Sequence, residues 1–108
     1  MAEKTTQFSA QTWHEGETAV IALHGEINGS AEAALDAAYA EAAQAAPNKI
    51  LLEFTAVDYI NSTGIALIVG LLAKARAAHI ALAASGLSDH YREIFTITRL
   101  SDFMEIRP

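Results

Sequence analysis

Apolar and polar residues recur along this chain with two periods, one typical of strands and one of helices. Residues Gln7 to Trp13 alternate weakly and predict a first strand. His14 to Glu17 contains a glycine and predicts a hairpin turn into a second, more buried strand from Thr18 to His24. The two glycines in Gly25 to Gly29 are expected to break that second strand.

Three segments with helical spacing follow. Ser30 is a good N-cap for an amphipathic helix from Ala31 to about Ala46, with Leu35, Ala38, Tyr39, Ala42 and Ala46 on its apolar face. A second helix, from about Ser62 to Ala78, starts with ten positions that are apolar nearly all round, which we expect to be buried or to lie against a partner. Ser88 or Asp89 is expected to cap a third helix whose apolar face holds Tyr91, Ile94, Phe95 and Thr98.

Short apolar runs between these helices predict the remaining strands, at Lys49 to Phe54, Ile80 to Ala84 and Phe103 to Ile106. The element order is therefore ββαβαβαβ, which predicts an α/β fold with a mixed β-sheet. Its parallel strands are joined by helices, and the initial hairpin adds an antiparallel edge. We expect the helices to cover one side of the sheet and the following residues to be largely buried: Val20, Ile21, Leu23, Leu51, Leu52, Ile80 and Leu82.

Composition narrows the classes of function. The 108 residues fit one domain, 1–108 with a core of about 7–107, and 52% hydrophobic with 19% charged residues describes a folded soluble protein. A net charge of −6 leaves no basic patch for direct nucleic-acid binding. There are no cysteines, and the four histidines never recur at the spacing of a metal site, so we expect neither a metal nor a cofactor.

The same patterns argue against membrane insertion and catalysis. The N-terminal residues lack the apolar stretch of a signal peptide, and the longest apolar run, Gly64 to Ala73, is about half a membrane span, so a cytoplasmic location is expected. Four polar residues suggest a nucleophile and its base: Ser85, Ser88, Asp89 and His90. They lie too close together in one loop and helix start to form a triad without a distant third group, and capping explains them better. We therefore predict no catalytic residues and no enzyme activity.

The segment Asn61-Ser62-Thr63-Gly64 is the strongest functional signal. It places two hydroxyls and a glycine at a helix start, where free backbone N–H groups favour a phosphate or another anion. The hydroxyls are themselves candidates to carry a phosphate. Asn, Ser and Thr are also the commonest N-caps, so the segment alone is more typical of an ordinary helix start than of a functional site.

Two motifs in the predicted element order make the chain resemble the sulphate transporter and anti-sigma factor antagonist (STAS) domain family. Gly25-Glu26-Ile27-Asn28 is similar to the family's Gly-Glu-Ile-Asp, and Asn61-Ser62-Thr63-Gly64-Ile65 is similar to its Asp-Ser-Ser-Gly-Leu signature. The stretch from Ser85-Gly86-Leu87 through Leu100-Ser101-Asp102-Phe103 resembles the family's closing strand, helix and strand, so the similarity spans roughly residues 7–107.

This resemblance implies a partner-switching regulator of the bacterial anti-sigma factor antagonist type. Such an antagonist binds an anti-sigma factor that is also a serine/threonine kinase. Phosphorylation of the hydroxyl before the signature glycine releases it, and a metal-dependent phosphatase reverses the change. Carried over here, the acceptor is Thr63, with Ser62 as the fallback, and the partner-binding residues are Asn28, Asn61, Ser62, Thr63 and Gly64.

The chain departs from the family pattern where Asn28 and Asn61 replace aspartates. An amide keeps the capping capacity of a carboxylate but cannot orient a kinase lysine or help to deprotonate a hydroxyl. This departure favours an alternative, in which the chain is a STAS scaffold or assembly subunit that docks constantly, as in a stressosome-type complex or a lipid transporter. A third interpretation, a small-molecule or nucleotide binder at the helix start, has the anion argument but no glycine-rich loop.

Overall fold

A computed structural model describes residues 6–108 and shows a five-stranded sheet with three α-helices. The first five residues of the predicted domain lie outside the described part. The elements are β1 (Ser9–Glu15), β2 (Thr18–Ile27), α1 (Glu32–Ala43), β3 (Lys49–Ile60), α2 (Ser62–Ala77), β4 (Ala81–Ser85), α3 (Asp89–Ile97) and β5 (Glu105–Ile106). Short 3₁₀ turns at Gly29–Ala31 and Leu100–Asp102 precede α1 and β5. The order ββαβαβαβ is confirmed.

The strands lie side by side in the order in which the chain makes them. β1 and β2 are antiparallel, and each later pair is parallel, so the sheet is mixed as predicted. Because β2 and β3 are parallel neighbours, their carboxyl ends meet at the same edge of the sheet.

One face of this sheet carries the core. Ile21 is paired with Leu52, and Leu52 with Ala84, so these side chains point to the same side. They belong to one cluster with the buried side chains of all three helices, which include Leu35 of α1, Ile68 and Leu71 of α2 and Phe95 of α3. This confirms that the helices gather on one side.

The opposite face corrects one predicted core residue. Val20, Leu51 and Ala83 are paired across the sheet but lie outside the helix-covered cluster. Val20 and Ala83 are buried among their neighbours, whereas Leu51 remains partly exposed because no helix covers it. Its expected burial was wrong, and that of the other six predicted core residues is confirmed.

Two strands are longer than the sequence predicts. β2 passes through Gly25, whose φ of +90° and close approach to the backbone of Gln7 allow the strand to continue to Ile27. β3 does not stop at Phe54 but runs to Ile60, paired with β2 through two register irregularities. Both motifs therefore begin at the ends of extended strands rather than in loops.

Smaller differences occur at element ends. α1 stops at Ala43, so Ala46 is exposed with a φ of 51° instead of completing the apolar face. Thr98 is the exposed C-cap of α3, where its hydroxyl donates to the carbonyl of Ile94 at 2.8 Å. Phe103 precedes β5 and is exposed, because the 3₁₀ turn delays the strand.

Glu53 on β3 is expected to make the stability of the fold depend on pH in the acidic range. Its carboxylate accepts hydrogen bonds from the Thr55 amide at 2.9 Å and from the Ser85 hydroxyl at 3.0 Å. Partial burial acts to raise the pKa of Glu53, but these hydrogen bonds outweigh it and hold that pKa below its ordinary value. A carboxylate with a depressed folded-state pKa stabilises the fold above its unfolded pKa, and this stabilisation is lost as the pH falls through the folded pKa.

Glu53→Gln is therefore expected to lower the free energy of unfolding at pH 7 by at most about 1 kcal/mol, since the carboxylate is only partly buried and solvent screens its charge. The difference from the wild type should shrink at a pH below the ordinary glutamate pKa of 4.5, as the pH falls through the depressed pKa of the folded state. Urea denaturation at both pH values measures it, with Glu41→Gln on the exposed side of α1 as the control for loss of a negative charge. An equal difference at the two pH values would contradict this account.

Candidate functional site

The two sequence motifs meet at the carboxyl ends of β2 and β3. Ile27 and Ile60 are paired in register, and the amide of Asn61 donates to the carbonyl of Ile27 at 3.2 Å. Asn28 and Asn61 directly follow this pair, so the structure brings them to one edge of the sheet. The convergence expected from parallel strands is therefore present.

Asn61 forms the N-cap of α2. Its backbone is extended, with φ −88° and ψ −179°, and its side-chain oxygen accepts from the Gly64 amide at 2.8 Å. Its carbonyl accepts from the Ile65 amide at 2.9 Å, which begins the helical pattern. The amide side chain thus retains the capping role that an aspartate would have.

Both polar atoms of the Asn28 side chain form hydrogen bonds, and the oxygen caps the neighbouring 3₁₀ turn. Its oxygen accepts from the Ser30 amide at 2.9 Å and the Ser30 hydroxyl at 2.6 Å. Its amide nitrogen donates to a carboxylate oxygen of Glu26 at 2.8 Å. Glu26 and Ser30 therefore belong to the site, although neither was predicted among the partner-binding residues; their spacing of two residues on each side of Asn28 is the signal that was available. Ser30 was predicted to cap α1, but its amide and hydroxyl donate to Asn28 instead, and α1 begins after Ala31 without a side-chain cap.

Gly64 is the buried member of the signature. A Cβ at this position would overlap the carbonyl oxygen of Ile27 and lie 2.9 Å from the Ile60 side chain. The start of α2 therefore packs directly against the backbone of β2, which only glycine permits. This contact sets the position of Ser62 and Thr63 relative to the edge of the sheet.

Ser62 and Thr63 occupy the first turn of α2, and both are exposed. Within residues 6–108 the structure shows no side-chain hydrogen bond made by either hydroxyl. Gly29 in the neighbouring turn lies beside the Thr63 methyl, since a Cβ built on Gly29 would come within 3.6 Å of it. The structure thus leaves both hydroxyls accessible, at the helix end where backbone N–H groups favour an anion.

One side of α2 continues the exposed surface away from Thr63. The helix buries Ile68, Leu71, Leu72 and Ala75, as half of the apolar run requires. Its other side leaves Ala66, Val69, Gly70 and Ala73 exposed, with Val69 46% accessible, and reaches the exposed ring of Phe103. We call Ala66, Val69, Gly70, Ala73 and Phe103 the α2 apolar face.

Tyr91 of α3 also reaches the signature, which helical spacing alone did not show. Its hydroxyl accepts from the Ile60 amide at 2.8 Å and donates to the Ile60 carbonyl at 3.4 Å. The sequence placed Tyr91 only on the apolar face of its helix.

Among the described residues, no group of three acidic or histidine side chains is placed to hold a metal ion, and no helix has the length and apolar character to cross a membrane.

Comparison of the sequence with models of known families identifies the family of this chain. Residues 10–107 match the sequence model of the family described as "Mlab, STAS domain". The chain belongs to this family. The resemblance inferred from the two motifs is therefore confirmed, and the STAS match covers both Asn28 and the Asn61–Gly64 signature.

Several similar proteins are named anti-sigma factor antagonists. The STAS domain is 39% identical over 56 residues to an "Anti-sigma-B factor antagonist" of Listeria monocytogenes, an alignment that includes 52% of this chain and 49% of the relative. The chain thus spans about half the length of the curated relatives that it matches. The fold is similar to the anti-sigma factor antagonist SpoIIAA in its unphosphorylated form, with a TM-score of 0.71 at 22% identity over 94% of this chain and 88% of that one.

The phosphorylated form of the Bacillus cell fate determinant SpoIIAA gives a TM-score of 0.69 at 24% identity, covering 94% of this chain and 92% of that one. At these identities the two structures establish a common fold.

Proposed function

We propose that this STAS domain is an anti-sigma factor antagonist: a non-enzymatic switch that binds an anti-sigma factor kinase and is released when Thr63 is phosphorylated. The observation that carries the proposal is the exposed Thr63 hydroxyl in the first turn of α2, beside the converged Asn28 and Asn61. The name of the Listeria relative supports it, as does the fold shared with an antagonist known in phosphorylated and unphosphorylated forms.

The proposed modification is a phosphoryl transfer from ATP. The Thr63 oxygen attacks the γ-phosphorus, the bond from that phosphorus to the bridging β-phosphate oxygen breaks, and ADP leaves with the electron pair. The proton of the hydroxyl passes to a base of the kinase or to water. Hydrolysis by a metal-dependent phosphatase restores the hydroxyl. Since ATP and such kinases are cytoplasmic, the proposal includes a cytoplasmic location.

Phosphate would release the partner for an electrostatic reason. It adds about −1.5 to −2 charges and three acceptor oxygens to an uncharged helix start. The N–H groups of α2 tolerate this charge in the free protein, but a partner packed over Thr63 and the α2 apolar face would remove the charge from water. An uncompensated buried charge costs several kcal/mol, and about 2.7 kcal/mol already weakens binding a hundredfold.

The experiment that tests the proposal is incubation with ATP and the histidine-kinase-like anti-sigma kinases encoded in the same genome. Intact-mass measurement should show one added phosphoryl group, and fragmentation of the peptide should place it on Thr63. A bacterial antagonist that its own kinase modifies fully serves as the positive control. No modification under those conditions, or modification at Ser62 alone, would contradict the assignment of Thr63.

Asn61 allows the departure from the family pattern to be tested. Asn61→Asp keeps an oxygen that accepts from the Gly64 amide and adds the carboxylate, so we expect faster phosphorylation without loss of the cap. Asn61→Ala removes the cap and should lower the free energy of unfolding by about 1 kcal/mol. Initial rates of phosphate incorporation and urea denaturation distinguish the effects of charge and cap. Equal rates for wild type and Asn61→Asp would show that a missing carboxylate does not limit the reaction.

A second candidate function is constant docking as a scaffold or assembly subunit. The observation that favours it is that the side chains of Asn28 and Asn61 are both used as caps and supply no carboxylate. The α2 apolar face also extends well beyond the first turn, to Phe103. Under this alternative, partner binding would be unchanged by ATP, and substitutions at Val69 would weaken it more than substitutions at Thr63.

A further inference from the structure

The geometry points to Tyr91 as a positioning residue for the phosphoacceptor turn, an inference that rests on the proposed function. Its hydroxyl contacts the amide and the carbonyl of Ile60, the residue before the Asn61 cap. Tyr91 therefore holds the two peptide groups that lead into the acceptor turn, and it does so from α3, an element that neither motif includes.

The sheet explains why this contact is needed. β3 pairs with β4 only as far as the partners Glu53 and Ser85, so residues 54–60 have no strand beside them on that edge. β2 holds the other edge as far as Ile60, through register pairing and through the Asn61 amide on the Ile27 carbonyl. On the open edge, the Tyr91 hydroxyl takes the place of the absent strand at Ile60. The acceptor turn is thus fixed from both sides only when Tyr91 is in place.

α3 is itself anchored firmly enough to act as a support. Phe95, fully buried, packs edge-on against Phe54 of β3 with ring centroids 5.8 Å apart. The Ser88 hydroxyl accepts from the Tyr91 amide at 3.3 Å and caps the helix start. A cavity of about 180 Å³ separates this helix start from β3, and Tyr91 forms one of its walls. The phenol therefore reaches Ile60 from a fixed helix, along the wall of a cavity that Leu87 and Ser88 also line.

We expect the Tyr91 contact to affect the rate of phosphoryl transfer to Thr63 and not the binding of the partner. The Tyr91 hydroxyl forms its hydrogen bonds with the backbone of Ile60 and not with Thr63, so we expect that it is not required for the partner to bind. In-line attack requires the Thr63 oxygen to be held close to its reacting position, and a displacement of about 1 Å can cost on the order of a hundredfold in rate. Loss of the Tyr91 hydroxyl should therefore reduce the turnover number and leave the half-saturating concentration nearly unchanged.

The test compares Tyr91→Phe with Tyr39→Phe, which removes a phenolic hydroxyl from α1 elsewhere in the core. With the kinase that modifies the wild type, we expect Tyr91→Phe to lower kcat about tenfold or more at a KM within about twofold, and Tyr39→Phe to change neither. Unchanged kcat, or a matching rise in KM with no change in kcat, would overturn the inference. Thermal melting checks that both variants remain folded at the assay temperature.

Amide hydrogen exchange gives a readout that does not need a kinase. Tyr91→Phe should speed exchange at Ile60 and also at Gly64, whose amide is bound to the Asn61 side chain, because the turn loses its support on one edge. Faster exchange at Ile60 alone would mean a purely local contact and would overturn the inference. If no kinase modifies the wild type, the proposed function fails, and the exchange at Gly64 still decides whether Tyr91 positions the turn.

Discussion

Gly64→Ala is expected to lower the free energy of unfolding by about 3 kcal/mol or more, the largest loss of stability expected from one added methyl group in this site. The new Cβ would overlap the Ile27 carbonyl oxygen and lie 2.9 Å from the carbonyl carbon of Ile27 and from the Ile60 side chain. The obstacle is the backbone of β2, which is paired with β3 at Ile27 and whose carbonyl there also accepts from the Asn61 amide, so it cannot yield as a side chain would. Urea denaturation of the variant measures the effect.

Gly70→Ala is the matched control, because Gly70 lies on the same helix and a Cβ there would meet nothing within 4 Å. Alanine favours a helix interior over glycine, so this variant should be more stable than the wild type by about 0.5–1 kcal/mol. The two substitutions should therefore change stability in opposite directions. Equal stability of both variants would show that α2 does not pack on β2 as described.

The fold was predictable from the sequence because burial dictates the pattern of its elements. The apolar run from Thr18 to His24 indicates a buried strand, and the helical spacing around Leu35 indicates which side of α1 faces the core. The order ββαβαβαβ then allows few arrangements. Leu51 shows where this reasoning fails. A continuous apolar run predicts burial on both faces of the strand, but only the face with Leu52 is covered by helices.

The second half of β3 was not predictable in the same way. Thr55 to Asp58 shows no clean alternation, and its extended conformation comes from pairing with β2 through two register irregularities. Tyr91 then supplies the contact on the other edge from 31 residues away. Long-range contacts of this kind override local preference and leave no local signal.

The candidate site was likewise predictable from the sequence only in part. Asn28 and Asn61 could be expected to converge, since parallel neighbouring strands end at one edge. The reason for glycine at position 64 emerged only with the approach of the Ile27 carbonyl. The sequence also predicts the exposed acceptor at Thr63, whereas the use of the Asn28 amide by Glu26 depends on side-chain geometry.

The hydrogen bond from Asn28 to Glu26 bears on the replacement of the family's aspartate by Asn28. An aspartate at position 28 would place a second carboxylate against Glu26, where the Asn28 amide nitrogen now donates at 2.8 Å. Like charges at that distance repel, so the loop that borders Thr63 would lose a stabilising contact. The family's Gly-Glu-Ile-Asp pattern has both acids at these positions, so this repulsion does not exclude an aspartate at position 28. Position 61 has no carboxylate as a hydrogen-bond partner, which makes it the better place to restore one.

Thr63 carries the largest functional effect that we expect. Thr63→Ala should bind the anti-sigma kinase as tightly as the wild type but should not be released when ATP is added, because no acceptor hydroxyl remains at that position. For the wild type, ATP should weaken binding by about a hundredfold or more, the effect of roughly 2.7 kcal/mol. Thr63→Glu should bind more weakly than the wild type without ATP, though less weakly than the phosphorylated protein, since a carboxylate carries less charge than a phosphate. Calorimetry with the purified kinase, with ATP or with a nonhydrolysable analogue, measures these differences.

Ser62→Ala is the matched control, because Ser62 is the neighbouring exposed hydroxyl in the same helical turn. It should bind like the wild type and remain fully sensitive to ATP, since the acceptor is intact. If Ser62→Ala and not Thr63→Ala abolishes release, the acceptor assignment moves by one residue while the switch itself stands. If wild type and both variants bind equally with and without ATP, the phosphate has no role and Thr63 serves only in the helix start. In that case the α2 apolar face alone would hold the partner, and Val69→Asp should then weaken binding in the absence of any nucleotide, because it places a charge in the middle of that face.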